Sequence, residues 1–167
     1  MKPQDLKQII VFRFLRDGEL LDLSKSLTPL DFQEGDLIID EGDPGECVYF
    51  IQSGTLNISV ARNDNTQAYL NVLGPGESLG EGGIFPKMAR TARVTAASSG
   101  LVYRWERKDL LNFISKNPGP GIKILMMLIY SLLKKLQGLN QELAYERQGD
   151  AGQDEVDNLV QDFMKDL

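Results

Sequence analysis

The residues most able to do chemistry lie in a glycine-rich stretch, Gly74–Pro86. Glycines at 80, 82 and 83 let main-chain N–H groups come close to a ligand, because no Cβ stands in the way. Pro86 limits any helix after Gly80 to about one turn. A short turn of this kind presents its N–H groups to an anion. The stretch therefore predicts an anion site.

Arg90 follows this stretch and supplies a positive charge. The sequence predicts a strand whose inward face carries alternate residues, namely Arg90, Ala92, Val94 and Ala96. Arginine keeps its positive charge in proteins, and burying an unpaired charge among apolar residues is costly. Arg90 therefore needs a carboxylate or a phosphate as partner. In one interpretation Glu81 is that partner and only closes the fold. In the other, Arg90 and the glycine amides hold an external phosphate, while Glu81 accepts a hydrogen bond from a ribose hydroxyl.

The composition excludes several classes of protein. The chain has 167 residues, 42% of them hydrophobic and 25% charged, which is typical of one globular domain. It contains no histidine, which excludes imidazole-activated nucleophiles and histidine-based zinc or iron sites. One cysteine cannot form an internal disulfide. An enzyme of this composition would need carboxylates, lysine or tyrosine, and we expect no metal site.

No segment has the pattern of a membrane span or a signal peptide. Charged residues interrupt the apolar residues before Gly18, and the longest apolar run, Ile124–Leu133, has about half the length that crosses a bilayer. The expected location is the cytoplasm, with no membrane partner.

Hydrophobic periodicity divides the chain into zones. Residues 1–26 have a helical pattern, and residues 27–105 contain short apolar runs separated by turn residues. Residues 106–148 return to a helical pattern, and residues 149–167 form an acidic tail. The short strands indicate an antiparallel roll or barrel between flanking helices.

Two helices follow the predicted strands. The first spans about Glu106–Ser115, a break and hinge are expected at Pro118–Gly121, and a long helix runs from about Gly121 to Arg147. Residues spaced by four and three form an apolar seam: Ile122, Met126, Ile129, Leu133, Leu136, Asn140 and Leu143. The seam predicts a homodimer through this helix, and the alternative is a helix buried on its own barrel.

Two segments resemble a known motif. Leu-Gly-Glu-Gly-Gly-Ile at 79–84 and Ala-Arg-Thr-Ala-Arg-Val at 89–94 are similar to the phosphate-binding cassette of cyclic nucleotide-binding domains, as in the catabolite activator protein and the regulatory subunits of cAMP-dependent kinase. The resemblance extends from about Leu20 to Arg147. It implies an eight-stranded antiparallel jelly-roll β-barrel with N-terminal helices and a long C-terminal helix.

The resemblance also implies roles for individual residues. Arg90 is expected to bind the cyclic phosphate together with main-chain amides of the turn and of the segment after it, namely Gly83, Thr91 and Ala92. Glu81 and the main chain of Gly80 are expected to hold the ribose 2′-hydroxyl. Gly82 stands in the same turn, where the family has an aliphatic residue.

The expected base site has a wall and a lid. Ile58, Leu70 and Asn71 match the barrel wall of the family. Leu139 and Asn140 of the long helix are the expected lid.

The resemblance implies a stand-alone, non-enzymatic sensor that binds cAMP in preference to cGMP. It is expected to signal to an unknown effector protein through movement of its C-terminal helix. The tail contains six acids and one base, so it carries −5 of the formal net charge of −6. Few residues follow the long helix and the charge is unsuited to DNA, so no DNA partner is expected. The alternative is a degenerate domain that has lost its ligand, in which an Arg90–Glu81 pair fills the site and the dimer serves as a protein-interaction module.

Overall fold

The computed structural model describes residues 3–62 and 66–165, with side chains described as far as residue 141. Its strands are β1 (Thr28–Phe32), β2 (Leu37–Ile39), β3 (Cys47–Ser53), β4 (Leu56–Ala61), β5 (Gln67–Leu73), β6 (Ser78–Leu79), β7 (Arg93–Ala96) and β8 (Gly100–Glu106). Its helices are α1 (Pro3–Leu6), α2 (Asp17–Ser24), α3 (Arg107–Lys116) and α4 (Pro118–Lys165). Two 3₁₀ turns cover Ile10–Phe12 and Glu81–Ile84, and the second is called the glycine turn below.

The eight described strands form two antiparallel sheets of four strands each. Their orders are β1-β8-β3-β6 and β2-β7-β4-β5. The fold is therefore mainly antiparallel β, with helices before the sheets and a long helix after them, as predicted. The chain divides into two compact units, residues 1–131 and residues 132–167.

Each face of the first sheet covers a different hydrophobic core. Val48 and Phe50 of β3 pack with Trp105 of β8 and with the helices, where the Phe12 and Phe50 ring centroids are 4.6 Å apart. Ile51 and its neighbours on the opposite face pack between the two sheets. Since side chains alternate along a strand, Tyr49 of β3 belongs to the inner face. This alternation directs part of β3 towards the candidate site.

The strand expected to begin at Arg90 begins at Arg93 instead. The predicted alternation holds from there on, since Val94 and Ala96 are buried. The main chain of Arg90 bonds to the preceding loop: its N–H donates to the Asp43 carbonyl, and its own carbonyl accepts from Gly42 N–H, both at 2.9 Å. These bonds replace the sheet ladder, so the expectation of a strand at Arg90 was wrong.

Apolar residues of β4 alternate as predicted only in its first half. Leu56 is fully buried, but the polar Ser59 is buried as well, at 3% exposure. The pairing register with β5 shifts between Ile58 and Ser59. A β-bulge of this kind changes the direction of the side chains that follow it.

The long helix begins three residues before its expected start. Pro118 and Pro120 lie in its first turn, where a proline costs little because the N–H of these positions has no partner within the helix. The break after α3 lies at Asn117, whose carbonyl accepts from Gly121 N–H at 2.8 Å. The helix continues to Lys165, beyond the expected end near Arg147.

The seam predicted on α4 is exposed over the part whose side chains are described. The exposed seam residues are Ile122, Met126, Ile129, Leu133, Leu136 and Asn140, with the five apolar ones 51–62% exposed. Leu143 lies outside the described side chains. Within the described part of the chain, no helix reaches the length and hydrophobicity of a membrane span.

Candidate functional site

Arg90 is the centre of the candidate site. Its Nη1 donates to the Gly80 carbonyl at 3.0 Å, and its Nη2 donates to the Cys47 carbonyl at 3.0 Å and to Cys47 Sγ at 3.3 Å. Its Cζ lies 5.9 Å from the centroid of the Tyr49 ring, within the range of a cation–π contact. The guanidinium thus joins the glycine turn to the start of β3.

Two glycines give the guanidinium its space. A Cβ at Gly45 would lie 2.2 Å from Arg90 Nε, and a Cβ at Gly80 would lie 2.5 Å from Nη1. Gly80 also has a φ of +73°, which side chains with a Cβ rarely adopt. Both positions therefore require glycine while Arg90 keeps this conformation.

The glycine turn itself packs tightly on β3. A Cβ at Gly83 would lie 2.3 Å from the Cys47 carbonyl oxygen, so only glycine allows this approach. Gly83 N–H donates to the Gly80 carbonyl at 2.9 Å and closes the turn. Gly82 faces the side chain of Met88, whose Sδ would lie 3.0 Å from an added Cβ. The turn is a single one, as Pro86 predicts.

Glu81 is a buried carboxylate at the start of this turn, with 9% of its surface exposed. The hydroxyl of Ser78, which is fully buried, donates to Glu81 Oε1 at 2.8 Å. A buried carboxylate needs such donors, because burial without hydrogen bonds is costly.

Thr91 and Ala92 connect Arg90 to β7 along the chain. Thr91 is exposed and Ala92 is partly buried. They come directly after Arg90, whose main chain bonds to Gly42 and Asp43. Neither belongs to a strand.

The predicted wall residues lie on β4 and β5. Ile58 is partly buried and pairs with both Val94 and Asn71. Leu70 lies opposite the register shift and is 46% exposed, and Asn71 is exposed with its Oδ1 accepting from Val72 N–H at 2.7 Å. The structure thus brings Ile58 and Asn71 side by side.

The predicted lid residues, Leu139 and Asn140, are exposed residues of α4. They belong to the second compact unit of the chain, residues 132–167. Their role as a lid stays a prediction.

A cavity of about 440 Å³ adjoins Arg90. Its charged and polar lining includes Tyr49, Arg104 and Glu106, none of which the sequence analysis assigned to the site. Arg104 pairs with Tyr49 across the sheet, and its Nη2 lies 2.5 Å from Glu106 Oε1. Alternation along β8 places Arg104 on the same face as Val102, and this was the signal that could have indicated it.

Tyr49 stays neutral at physiological pH. Burial raises the pKa of its hydroxyl to about 12, and the hydrogen bond with Cys47 adds to this effect. A neutral phenol retains its proton, so it remains a hydrogen-bond donor in the cavity.

A larger groove of about 620 Å³ lies elsewhere, between the end of α2 and α3. Its lining mixes acidic and basic side chains, such as Asp22, Lys25, Asp109 and Lys116. The cavity at Arg90 is smaller, and Arg90 is the one predicted site residue among the described residues that line it. We assign the site there because Arg90 bonds to the carbonyl of Gly80, the residue before the glycine turn. Among the described residues, no group of acidic, cysteine or histidine side chains could hold a metal ion.

The chain is similar to proteins of one family. A model of the cyclic nucleotide-binding domain matches residues 29–117. The cAMP-activated global transcriptional regulator of Mycobacterium tuberculosis is 29% identical over 134 residues, which cover 80% of this chain and 58% of that protein. The chain therefore spans less than two thirds of the length of this relative.

Solved structures of similar proteins point to the same family. The catabolite activator protein of Thermus thermophilus has a TM-score of 0.68 and 25% identity, covering 80% of this chain and 61% of that one. The regulatory domain of Toxoplasma gondii cAMP-dependent kinase, solved with cAMP, has a TM-score of 0.59 and 28% identity, covering 67% of this chain and 42% of that one. With the family model matching more than half of its residues, the chain belongs to the family of cyclic nucleotide-binding domains.

Proposed function

We propose that this chain is a regulatory sensor that binds a cyclic nucleotide, with cAMP preferred, and catalyses no reaction. The observation that carries the proposal is the position of Arg90. Its guanidinium is enclosed by Gly45 and Gly80 and bonds to the residue next to the buried Glu81. Two similar proteins, the mycobacterial regulator and the Toxoplasma kinase domain, are described with cAMP. This supports cAMP as the ligand.

The chemistry of Arg90 favours an incoming phosphate. Its present acceptors are the neutral carbonyl oxygens of Gly80 and Cys47 and a thiol sulfur. A phosphate offers charged oxygens, and hydrogen bonds between ionised groups are about twice as strong as neutral ones. The ligand therefore competes favourably for the guanidinium, with the amides of Gly83, Thr91 and Ala92 as further donors.

The remaining contacts of the nucleotide are proposed from the resemblance to the family. Glu81 accepts the ribose 2′-hydroxyl, beside the main chain of Gly80. The base lies against Ile58, Leu70 and Asn71. Nucleotide binding favours one placement of α4, in which Leu139 and Asn140 cover the base. The ligand shifts this equilibrium only by its different affinities for the two placements.

We also propose two protein partners, a second copy of the chain and an effector protein. The exposed apolar seam of α4 supports a homodimer through this helix. An effector protein receives the signal. The predicted lack of a DNA contact and the predicted cytoplasmic location stay predictions, although one relative is a transcriptional regulator.

Thermal unfolding with cAMP and cGMP tests the proposal. At about 100 times its Kd, a ligand that binds only the folded protein stabilises it by about 2.7 kcal/mol. We expect this increase for the wild type and its loss in Arg90→Ala. Arg90→Lys keeps the charge but not the fork of donors, so we expect a partial loss. Arg13→Ala, at an exposed arginine, is the matched control. No shift of the wild type at millimolar nucleotide would overturn the proposal.

One observation favours a second candidate function, a degenerate domain that binds no nucleotide and acts as a dimeric interaction module. The Arg90 guanidinium already has three hydrogen bonds, to Gly80 and Cys47. In this case Arg90 is a structural residue. Arg90→Ala would then lower the unfolding temperature equally with and without nucleotide, which separates the two functions.

A further inference from the structure

Ser78 connects the buried carboxylate of the site to the long helix. Its hydroxyl lies 2.8 Å from Glu81 Oε1 and 3.4 Å from the Oγ of Ser131 in α4. Ser78 has no exposed surface, and Glu81 is 9% exposed. Water therefore has little access to this pair, so the hydrogen bond between them is strong.

The direction of these bonds follows from the number of protons. The Ser78 hydroxyl has one proton and donates it to Glu81 Oε1. In the contact with Ser131, the Ser78 oxygen is therefore the acceptor and the Ser131 hydroxyl is the donor. The chain of donors runs from Ser131 through Ser78 to Glu81. The first step, at 3.4 Å, is longer and weaker than the second.

Ser131 occupies a special position in the fold. It is the last residue of the first compact unit, and α4 continues beyond it as the second unit. Nearer its start, α4 is fixed by Lys123, whose Nζ lies 3.0 Å from Glu19 Oε2 of α2. Ile124 and Leu128 of this part of α4 are buried in the core. Ser131 therefore contacts Ser78 from the part of α4 that belongs to the first unit.

We propose that Ser78 is a positioning residue that orients Glu81 for the ribose 2′-hydroxyl and makes this orientation depend on Ser131 of α4. The proposal rests on the proposed function, since it assigns Glu81 to the ribose. A carboxylate can accept several hydrogen bonds, so Glu81 can accept from the ribose while it accepts from Ser78. Ribose recognition and the position of the helix are then coupled through one buried hydroxyl.

Comparison of cAMP with 2′-deoxy-cAMP tests the ribose half of the proposal. In Ser78→Ala, we expect the Kd for cAMP to rise about tenfold, as for loss of a hydrogen bond to a charged group. The Kd for 2′-deoxy-cAMP, which lacks the hydroxyl, should change by less than about twofold. Ser78→Thr keeps the hydroxyl and should restore most of the difference. Ser26→Ala removes a serine hydroxyl that donates to the Leu23 carbonyl near the end of α2, and it should change neither value. An equal loss for both nucleotides in Ser78→Ala would overturn the positioning role.

Amide hydrogen exchange in the ligand-free chain tests the helix half. Ser78→Ala and Ser131→Ala should each speed exchange around residues 127–135 of α4, and the double variant should exchange no faster than either single variant. Additive effects of the two substitutions would overturn the coupling. If the wild type binds neither nucleotide, the proposed function and the ribose half both fail. The exchange cycle still decides whether Ser78 and Ser131 are coupled.

Discussion

At the scale of single residues, close contacts between main-chain segments decide which positions of the site must be glycine. Gly83 lies against the carbonyl of Cys47, and this contact sets the distance between the glycine turn and β3. A main-chain atom cannot move aside as the end of a long side chain can. The glycine at this position is therefore required by packing, whether or not a ligand is bound.

Gly83→Ala tests this requirement. The added Cβ would lie 2.3 Å from the Cys47 oxygen, so we expect a loss of about 1–3 kcal/mol in the free energy of unfolding, as for other overpacked sites. Gly18→Ala is the matched control, since nothing lies within 4 Å of a Cβ there. It should raise stability by about 0.5–1 kcal/mol, because Gly18 lies within α2. Urea denaturation measures both, and equal effects of the two substitutions would contradict the packing argument.

Part of the site could be predicted from residue types in the sequence. The rest depends on which strands and helices lie next to each other in the fold. The glycines, Glu81 and Arg90 were indicated by chemistry that only a few residue types can perform. Ser78 and Tyr49 were not, because their roles depend on which strand or helix lies opposite. Alternation tells which face a side chain occupies, but it does not tell that Tyr49 lies opposite Arg104.

At the scale of elements, six of the eight strands carry apolar runs that the sequence revealed. The other two strands have no such pattern. β1 buries only Phe32 of its five residues, and β6 contains just Ser78 and Leu79. Their pairing depends on main-chain bonds to β8 and β3, which the side chains do not encode. Only the resemblance to a known family implied eight strands.

An ion pair between Asp40, the residue after β2, and Arg93 of β7 gives a prediction for pH. Arg93 Nε donates to Asp40 Oδ1 at 2.7 Å, and Arg93 Nη2 lies 2.7 Å from the same oxygen. This hydrogen bond and the charge of Arg93 hold the pKa of Asp40 below its ordinary value of 3.8. The pair therefore stabilises the fold fully above that value and loses its effect as pH falls through the lowered pKa.

Asp40→Asn should reveal this dependence in thermal unfolding. At neutral pH the variant should unfold at a lower temperature than the wild type, and the difference should close as the pH falls below 3.8. Glu34→Gln, at an exposed carboxylate, is the control. A difference of constant size from neutral to acid pH would show that the stabilisation does not come from the charge of Asp40.

At the scale of the whole molecule, charge and hydrophobic surface are both concentrated towards the end of the chain. The first 148 residues carry a net charge of −1, against −5 for the last 19. A nearly neutral domain does not repel an anionic ligand, so local donors such as Arg90 decide binding. The acidic end is suited to an effector with a basic surface.

The exposed apolar seam of α4 leads to a prediction about assembly. A single chain of 18.6 kDa that exposes Leu133 and Leu136 by more than half would gain by covering them with a second copy. Static light scattering at tens of micromolar should therefore give twice the mass of one chain. Replacing both leucines by glutamate places charges where the partner helix would pack, so it should give monomers without unfolding the domain, because both side chains are exposed. Gln137→Glu adds a charge at another exposed position of α4 and should keep the dimer. A wild type of monomeric mass would refute the dimer.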